Sequence, residues 1–139
     1  MSTVKNISTK TIVPIDTQKT VGEAATLMKD HGRGSLIVYE GENARGIITE
    51  KDLIRRVLAE GLPYTTRIEE VMSKPLITID ADVDIREAAR FMLVKNIRRL
   101  PIVENGMLIG IVNSSDLLRH FSKRTLTERI WEFMISTPD

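Results

Sequence analysis

The chain says nearly the same thing twice. "GIITEKDL" at residues 46–53 returns as "GIVNSSDL" at 110–117, and "VGEAATLM" at 21–28 returns as "IREAARFM" at 85–92. Both pairs lie 64 residues apart and share eight identities in sixteen positions, where background composition gives roughly one. This repeat constrains the fold more than any other feature, because each copy must form the same elements. The period exceeds that of solenoid repeats and there are only two copies, so a two-fold pseudo-symmetric arrangement follows. Between the blocks, "SLIVYEGENARG" matches "LPIVENGMLIG" if the first copy is one residue shorter before the strand and one longer in the turn. That offset makes Arg33-Gly34 the counterpart of Arg98-Arg99.

Each copy carries one local plan. Thr20 and Glu23 have capping-box spacing, with Asp84 and Glu87 as their counterparts. Val21, Ala24, Ala25 and Met28, and likewise Ile85, Ala88, Ala89 and Met92, recur at the spacing of an amphipathic helix. Gly32 and Gly34 end the first of these helices. "SLIVYE" and "LPIVE" read as buried strands, "GENARG" and "NGM" as hairpin turns, and "GIIT" and "GIVN" as returning strands. A second helix follows in each copy, through Leu53, Ile54, Val57 and Leu58, and through Leu117, Leu118 and Phe121. Extended lead-ins, "TIVPID" and "PLITID", precede the first helices. The fold class is therefore α/β: two β-α-β-β-α repeats, at 7–64 and 70–122. One copy alone leaves an apolar sheet face uncovered, so the two are expected to pack sheet to sheet.

Composition removes several function classes. The 139 residues include no cysteine, which excludes a disulfide framework, a thiolate zinc site and a cysteine nucleophile. The two histidines, His31 and His120, have no metal-ligand spacing. Twenty basic and nineteen acidic side chains leave a net charge of +1, without the basic excess of a dedicated nucleic-acid binder. No apolar run is long enough to span a membrane. The opening "MSTVKNISTK" lacks the apolar stretch of a secretory signal, and a cytoplasmic location is expected. Without clustered histidines or a phosphate-cradling glycine loop, no nucleophile–base pair assembles, so the chain reads as a non-enzyme.

The paired "EAA..M" helices, "SLIVYE" with "RRLPIVENG", and "GIITEKDL" with "GIVNSSDL", taken in this order, resemble the cystathionine β-synthase (CBS) domain family, as the tandem pair called a Bateman module. The resemblance covers about residues 7–122. It implies a regulatory module with clefts between the repeats that commonly bind adenosine nucleotides of the AMP, ADP and ATP class. A change in packing would carry the signal to a regulated protein. No cofactor is required on this reading, and such modules commonly form homodimers. The alternative is a dimerisation or interaction module with empty clefts.

The family's ribose-contacting motif, a Thr or Ser three residues before an Asp, falls here on Thr49 and Asp52. In the second copy it becomes Asn113 and Asp116, with Ser114 and Ser115 between them. A carboxylate can accept hydrogen bonds from both vicinal hydroxyls of a ribose, and its charge suits the first turn of a helix. The same spacing is also a near capping box. With serines at hand, a pure cap does not need Asp116. Arg99 matches the family's phosphate-contacting position, and a guanidinium can grip phosphate through two bonds. Under the offset above, its counterpart is a glycine, so the two sites are expected to be unequal. The resemblance also implies contacts from the opposite copy's lead-in: Ser8, Ile12 and Val13 toward Asp116, and Met72 to Ile77 toward Asp52.

"TLTERIWEFMIS" at 125–136 stands outside the repeat. Thr125 and Glu128 form a third capping-box pattern. Leu126, Ile130, Phe133 and Met134 share one face, with Trp131 beside it. This predicts an amphipathic C-terminal helix that packs either on its own core or across a homodimer.

Overall fold

A computed structural model describes residues 2–8, 11–121 and 134. The expected helix at 125–136 falls outside them, apart from Met134. The chain divides into two compact units that cut across the sequence repeats. One is Ile12–Ile77; the other joins Met1–Thr11 to Thr78–Asp139.

In the first unit, β1 (Pro14–Asp16) pairs parallel with β2 (Ser35–Glu40), which pairs antiparallel with β3 (Asn43–Thr49). Between β1 and β2 runs α2 (Val21–His31). Thr20 caps it as its spacing predicts: its hydroxyl accepts from the Glu23 amide at 3.1 Å, and the Glu23 carboxylate takes the Thr20 amide at 3.5 Å. Gly32 ends the helix in the left-handed region, at φ 62°, where a residue without Cβ is unstrained. Val21, Ala24 and Met28 turn inward onto Leu36, Val38 and Ile48.

After β3 comes a single α-turn, α3 (Glu50–Asp52), and then a π-helix over Leu53–Leu58. Here the regular helix expected from periodicity does not form. Of its apolar residues only Val57 is buried and Leu53 half-buried, while Ile54 is 59% and Leu58 74% exposed. Bonding five residues apart widens the turn, and the buried face is reduced to Leu53 and Val57.

In the second unit, β4 (Ile79–Asp80), β5 (Arg99–Glu104) and β6 (Met107–Asn113) repeat the parallel-then-antiparallel order. α4 (Ile85–Lys95) places Ile85, Ala88 and Met92 against Leu100, Ile102 and Val112. Asp84 caps α4, but through the Arg86 amide at 2.7 Å. That bond lowers the Asp84 pKa below the ordinary carboxylate value of 3.8. Asn96, at φ 54°, takes the place of Gly32, the residue type that best tolerates this region after glycine. The last helix, α5 (Ser114–Phe121), is regular. No helix among the described residues is long and apolar enough to cross a membrane.

Each unit also holds a short segment that precedes the other sequence repeat. α1 (Val4–Ile7) buries Val4 in the second unit's core, with the Val4 amide on the Val83 carbonyl at 3.0 Å. A 3₁₀ turn over Ile68–Glu70 buries Ile68 in the first unit's core. Beyond it, Ser73 and Ile47 exchange two backbone hydrogen bonds, at 2.9 and 3.0 Å. A Cβ on Gly46 would lie 2.3 Å from the Ser73 carbonyl oxygen, so this strand neighbour comes close only because residue 46 has no side chain.

The strand registers correct the repeat alignment. Leu36 faces Ile48 and Val38 faces Gly46, while Leu100 faces Val112 and Ile102 faces Gly110. Both hairpins shift register at the same place, after Val38 and after Ile102, and both close through two residues, 41–42 and 105–106. The offset of 64 therefore runs on without the gap expected from the sequence. Ser35, not Gly34, is the counterpart of Arg99, and Gly34 matches Arg98.

Candidate functional site

Both repeated aspartates sit where a strand becomes a helix, and both are held by the chain itself. Asp52 Oδ2 accepts from the Thr49 amide at 2.9 Å and the Thr49 hydroxyl at 3.1 Å, while Thr49 Oγ1 accepts from the Asp52 amide at 3.2 Å. Asp116 Oδ2 accepts from the Asn113 amide at 2.8 Å, and Asn113 Oδ1 accepts from the Asp116 amide at 2.9 Å. These are reciprocal caps. The expectation that a cap has no need of Asp116 is overturned. Ser114 and Ser115 stand one and two residues past the cap position, so the Asn113 amide is satisfied from Asp116.

The cap uses one carboxylate oxygen in each copy; the other meets an arginine. Asp116 Oδ1 accepts from Arg119 three residues on, with the Asp116 side chain 1% exposed and that of Arg119 62% exposed. Asp52 Oδ1 lies 3.7 Å from Nε of Arg56 four residues on. The same guanidinium donates to the Val71 and Met72 carbonyls at 3.0 and 3.3 Å. The two copies thus recruit different positions, since Arg55 is the counterpart of Arg119 and Arg56 that of His120. In the second copy the fourth residue is His120, so the third supplies the arginine; in the first, the wider π-turn sets Arg56, the fourth, beside the carboxylate. Nothing in the repeat itself singles out Arg56 or Arg119. The available signal was an arginine one helical turn after each aspartate.

The other expected site residues divide between the units. Arg99, half-buried on β5, stands opposite Asn113 in the β5–β6 pairing. Ser35 stands opposite Thr49 in the same way, so the first copy has a hydroxyl where the second has a cation. Arg98, just ahead of β5, is exposed. Ser8 belongs to the same unit as Asp116, and its hydroxyl donates to the Ile111 carbonyl at 3.1 Å, two residues before Asn113. Ser115 is exposed on the first turn of α5.

Ile12 and Val13 fall in the unit of Asp52. Val13 packs on that unit's core and accepts from the Ile37 amide at 3.0 Å. Ile12 lines an open pocket of about 630 Å³ with Pro14, Asp16 and Tyr39. Met72 is buried, and Ile77 is 39% exposed at the end of the same unit. A second pocket there, about 400 Å³, is lined by charged groups that include Glu40, Arg45, Glu69 and Lys74. Asp52 lines neither of these pockets.

Comparison with known proteins places this geometry. The family model described as "CBS domain" matches twice, at residues 4–59 and 68–123. The CBS domain-containing protein YhcV of Bacillus subtilis is 37% identical over 117 residues, 84% of either chain. The MK0525 protein of Methanopyrus kandleri is 40% identical over 119 residues, and the chain spans 61% of its length. Among solved structures, a CBS-domain protein from Burkholderia ambifaria superposes with a TM-score of 0.83 at 28% identity, over 89% of this chain and 96% of that one. The CBS domain pair of protein MJ0100, in complex with 5′-methylthioadenosine and S-adenosyl-L-methionine, gives 0.79 at 30% identity, over 88% and 98%.

Proposed function

The chain belongs to the CBS domain family, whose tandem pairs are regulatory rather than catalytic, and from that premise we propose that it binds adenosine-containing nucleotides of the AMP, ADP and ATP class at the β6–α5 junction. The observation that carries this is the buried Asp116 carboxylate. Its Oδ2 is fixed by the cap, so Oδ1 is held in one place by the backbone. A carboxylate has about four acceptor positions, more than the cap uses. Arg99, in register with Asn113, supplies a guanidinium on the neighbouring strand for phosphate. The compounds bound to the MJ0100 pair support the adenosine part of such a ligand. Occupancy would be read by a regulated protein through altered packing, to the extent that the ligand favours one packing over another. The Thr49–Asp52 junction, with Ser35 in place of the arginine, is the weaker site on this reading.

One observation favours a second reading, a ligand-free dimerisation or interaction module. Both aspartates already have hydrogen-bond partners on both oxygens or a cation beside them, so neither needs a ligand to be satisfied. Thermal unfolding with and without AMP, ADP, ATP and S-adenosylmethionine separates the two. A ligand at a hundredfold its dissociation constant adds about 2.7 kcal/mol, a shift of several degrees. Because Asp116→Ala also removes a cap, the quantity compared is the ligand-induced shift and not the midpoint. A shift in the wild type that disappears in the variant supports nucleotide binding. Absence of any shift at millimolar ligand leaves the interaction module.

A further inference from the structure

Building on the adenosine reading, we infer that Arg119 is a specificity residue: it lies on Asp116 Oδ1 and makes the site favour ligands with negative charge beside the ribose over neutral or cationic adenosyl compounds. The pair is unequal in exposure, with Asp116 sealed from water and Arg119 mostly in it. Asp116 Oδ2 is committed to the Asn113 amide. Ribose hydroxyls must therefore approach Oδ1, the oxygen on which the guanidinium lies.

Binding exchanges one donor for another at that oxygen. Moving the guanidinium aside separates an ion pair whose acidic member is buried, which is costly when nothing replaces the lost contact. A 5′-phosphate replaces it, because the displaced arginine regains a charge-assisted, two-pronged partner. A 5′-thioether offers no such charge, and a sulfonium adds a like charge. The neighbouring Arg99 strengthens the same preference. Arg56 is a poorer candidate for this part, since it is also bonded to the Val71 and Met72 carbonyls. Moving it would break contacts that hold the 3₁₀ segment to its unit.

Calorimetric titration of the full chain with AMP and with 5′-methylthioadenosine tests the inference in wild type, Arg119→Ala and Arg119→Lys, with Asp116→Ala locating the site. A hydrogen bond to a charged group is worth enough to change affinity by about tenfold or more. Arg119→Ala is expected to lower the preference for AMP over 5′-methylthioadenosine by about that factor, with 5′-methylthioadenosine unchanged or tighter because the competitor on Oδ1 is gone. Arg119→Lys is expected to lie between, keeping the charge but not the fork. Equal changes for both ligands in Arg119→Ala, leaving their ratio as in wild type, would overturn the role of Arg119 and leave nucleotide binding intact. Failure of wild type to bind either ligand would overturn both readings. Arg119→Ala leaves the buried Asp116 carboxylate without its arginine, so its unfolding midpoint is expected to fall, while a single cooperative transition above the titration temperature shows that each variant folds.

Discussion

Gly46→Ala sets two physical arguments against each other with opposite signs. Gly46 lies within β3, and its φ falls outside the left-handed region. Considered locally, alanine there stabilises by about 0.4–1 kcal/mol, because it removes freedom from the unfolded chain. The tertiary structure says otherwise. The new Cβ would stand 2.3 Å from the Ser73 carbonyl oxygen and 3.3 Å from its carbonyl carbon. Backbone is on both sides of this contact, so relief requires the Ser73 segment to move by about 1 Å, judged against ordinary contact distances of about 3.5 Å.

Such a movement breaks the two Ile47–Ser73 hydrogen bonds, each worth about 1 kcal/mol net and more where a group is left unmade. It also loosens Val71 and Met72, both in the first unit's core. The sum is a loss of about 2–4 kcal/mol, or about 1–3 kcal/mol after the entropic gain. At roughly 3–4 °C per kcal/mol for a chain of this length, the midpoint should fall by about 3–12 °C. Urea and thermal unfolding measure the loss, and amide exchange at Ser73 and Ile47 locates it. A variant as stable as wild type with both amides still protected would refute the close approach of the 68–73 segment to β3.

Three further outcomes are expected. Asp84 has its folded pKa lowered by the Arg86 amide, so its contribution is present above the ordinary carboxylate value of 3.8 and is lost as pH falls through the lower folded value. The difference in midpoint between wild type and Asp84→Ala should persist at neutral pH and close below that window; a gap independent of pH would deny the cap its charge. Arg56→Ala should cost about 0.5–1.5 kcal/mol and speed amide exchange across Ile68–Met72. Unchanged exchange there would show that the arginine does not hold the segment. A chain ending at Lys123 should sediment with a lower mass than the full chain if residues 125–136 build a homodimer, and an unchanged mass would remove them from that role.

Much of this protein is legible in one dimension. Capping boxes, a 3.6-residue apolar period and Asn-Gly turns involve neighbours within a few residues, so α2, α4 and the hairpins could be placed from sequence. The two-copy plan was equally legible, because a repeat needs no three-dimensional information to be seen. The aspartates were legible too, though only as residues with two readings, since capping and ribose contact demand the same spacing.

What the tertiary structure alone decided involves partners far apart in the chain. The exchange of leading segments, Val4 into the core with α4 and Ser73 onto β3, has no periodic signal; its trace in sequence is a glycine whose reason is a distant carbonyl. The register that puts Ser35 opposite Thr49, and so opposes a hydroxyl to Arg99, depended on where two hairpins bulge. Identical residues alone did not determine that position. That the first copy continues as a π-helix and the second as an α-helix is likewise unwritten in the repeat. Backbone hydrogen bonding settles that choice against the packing of each whole unit, which no short stretch of residues contains.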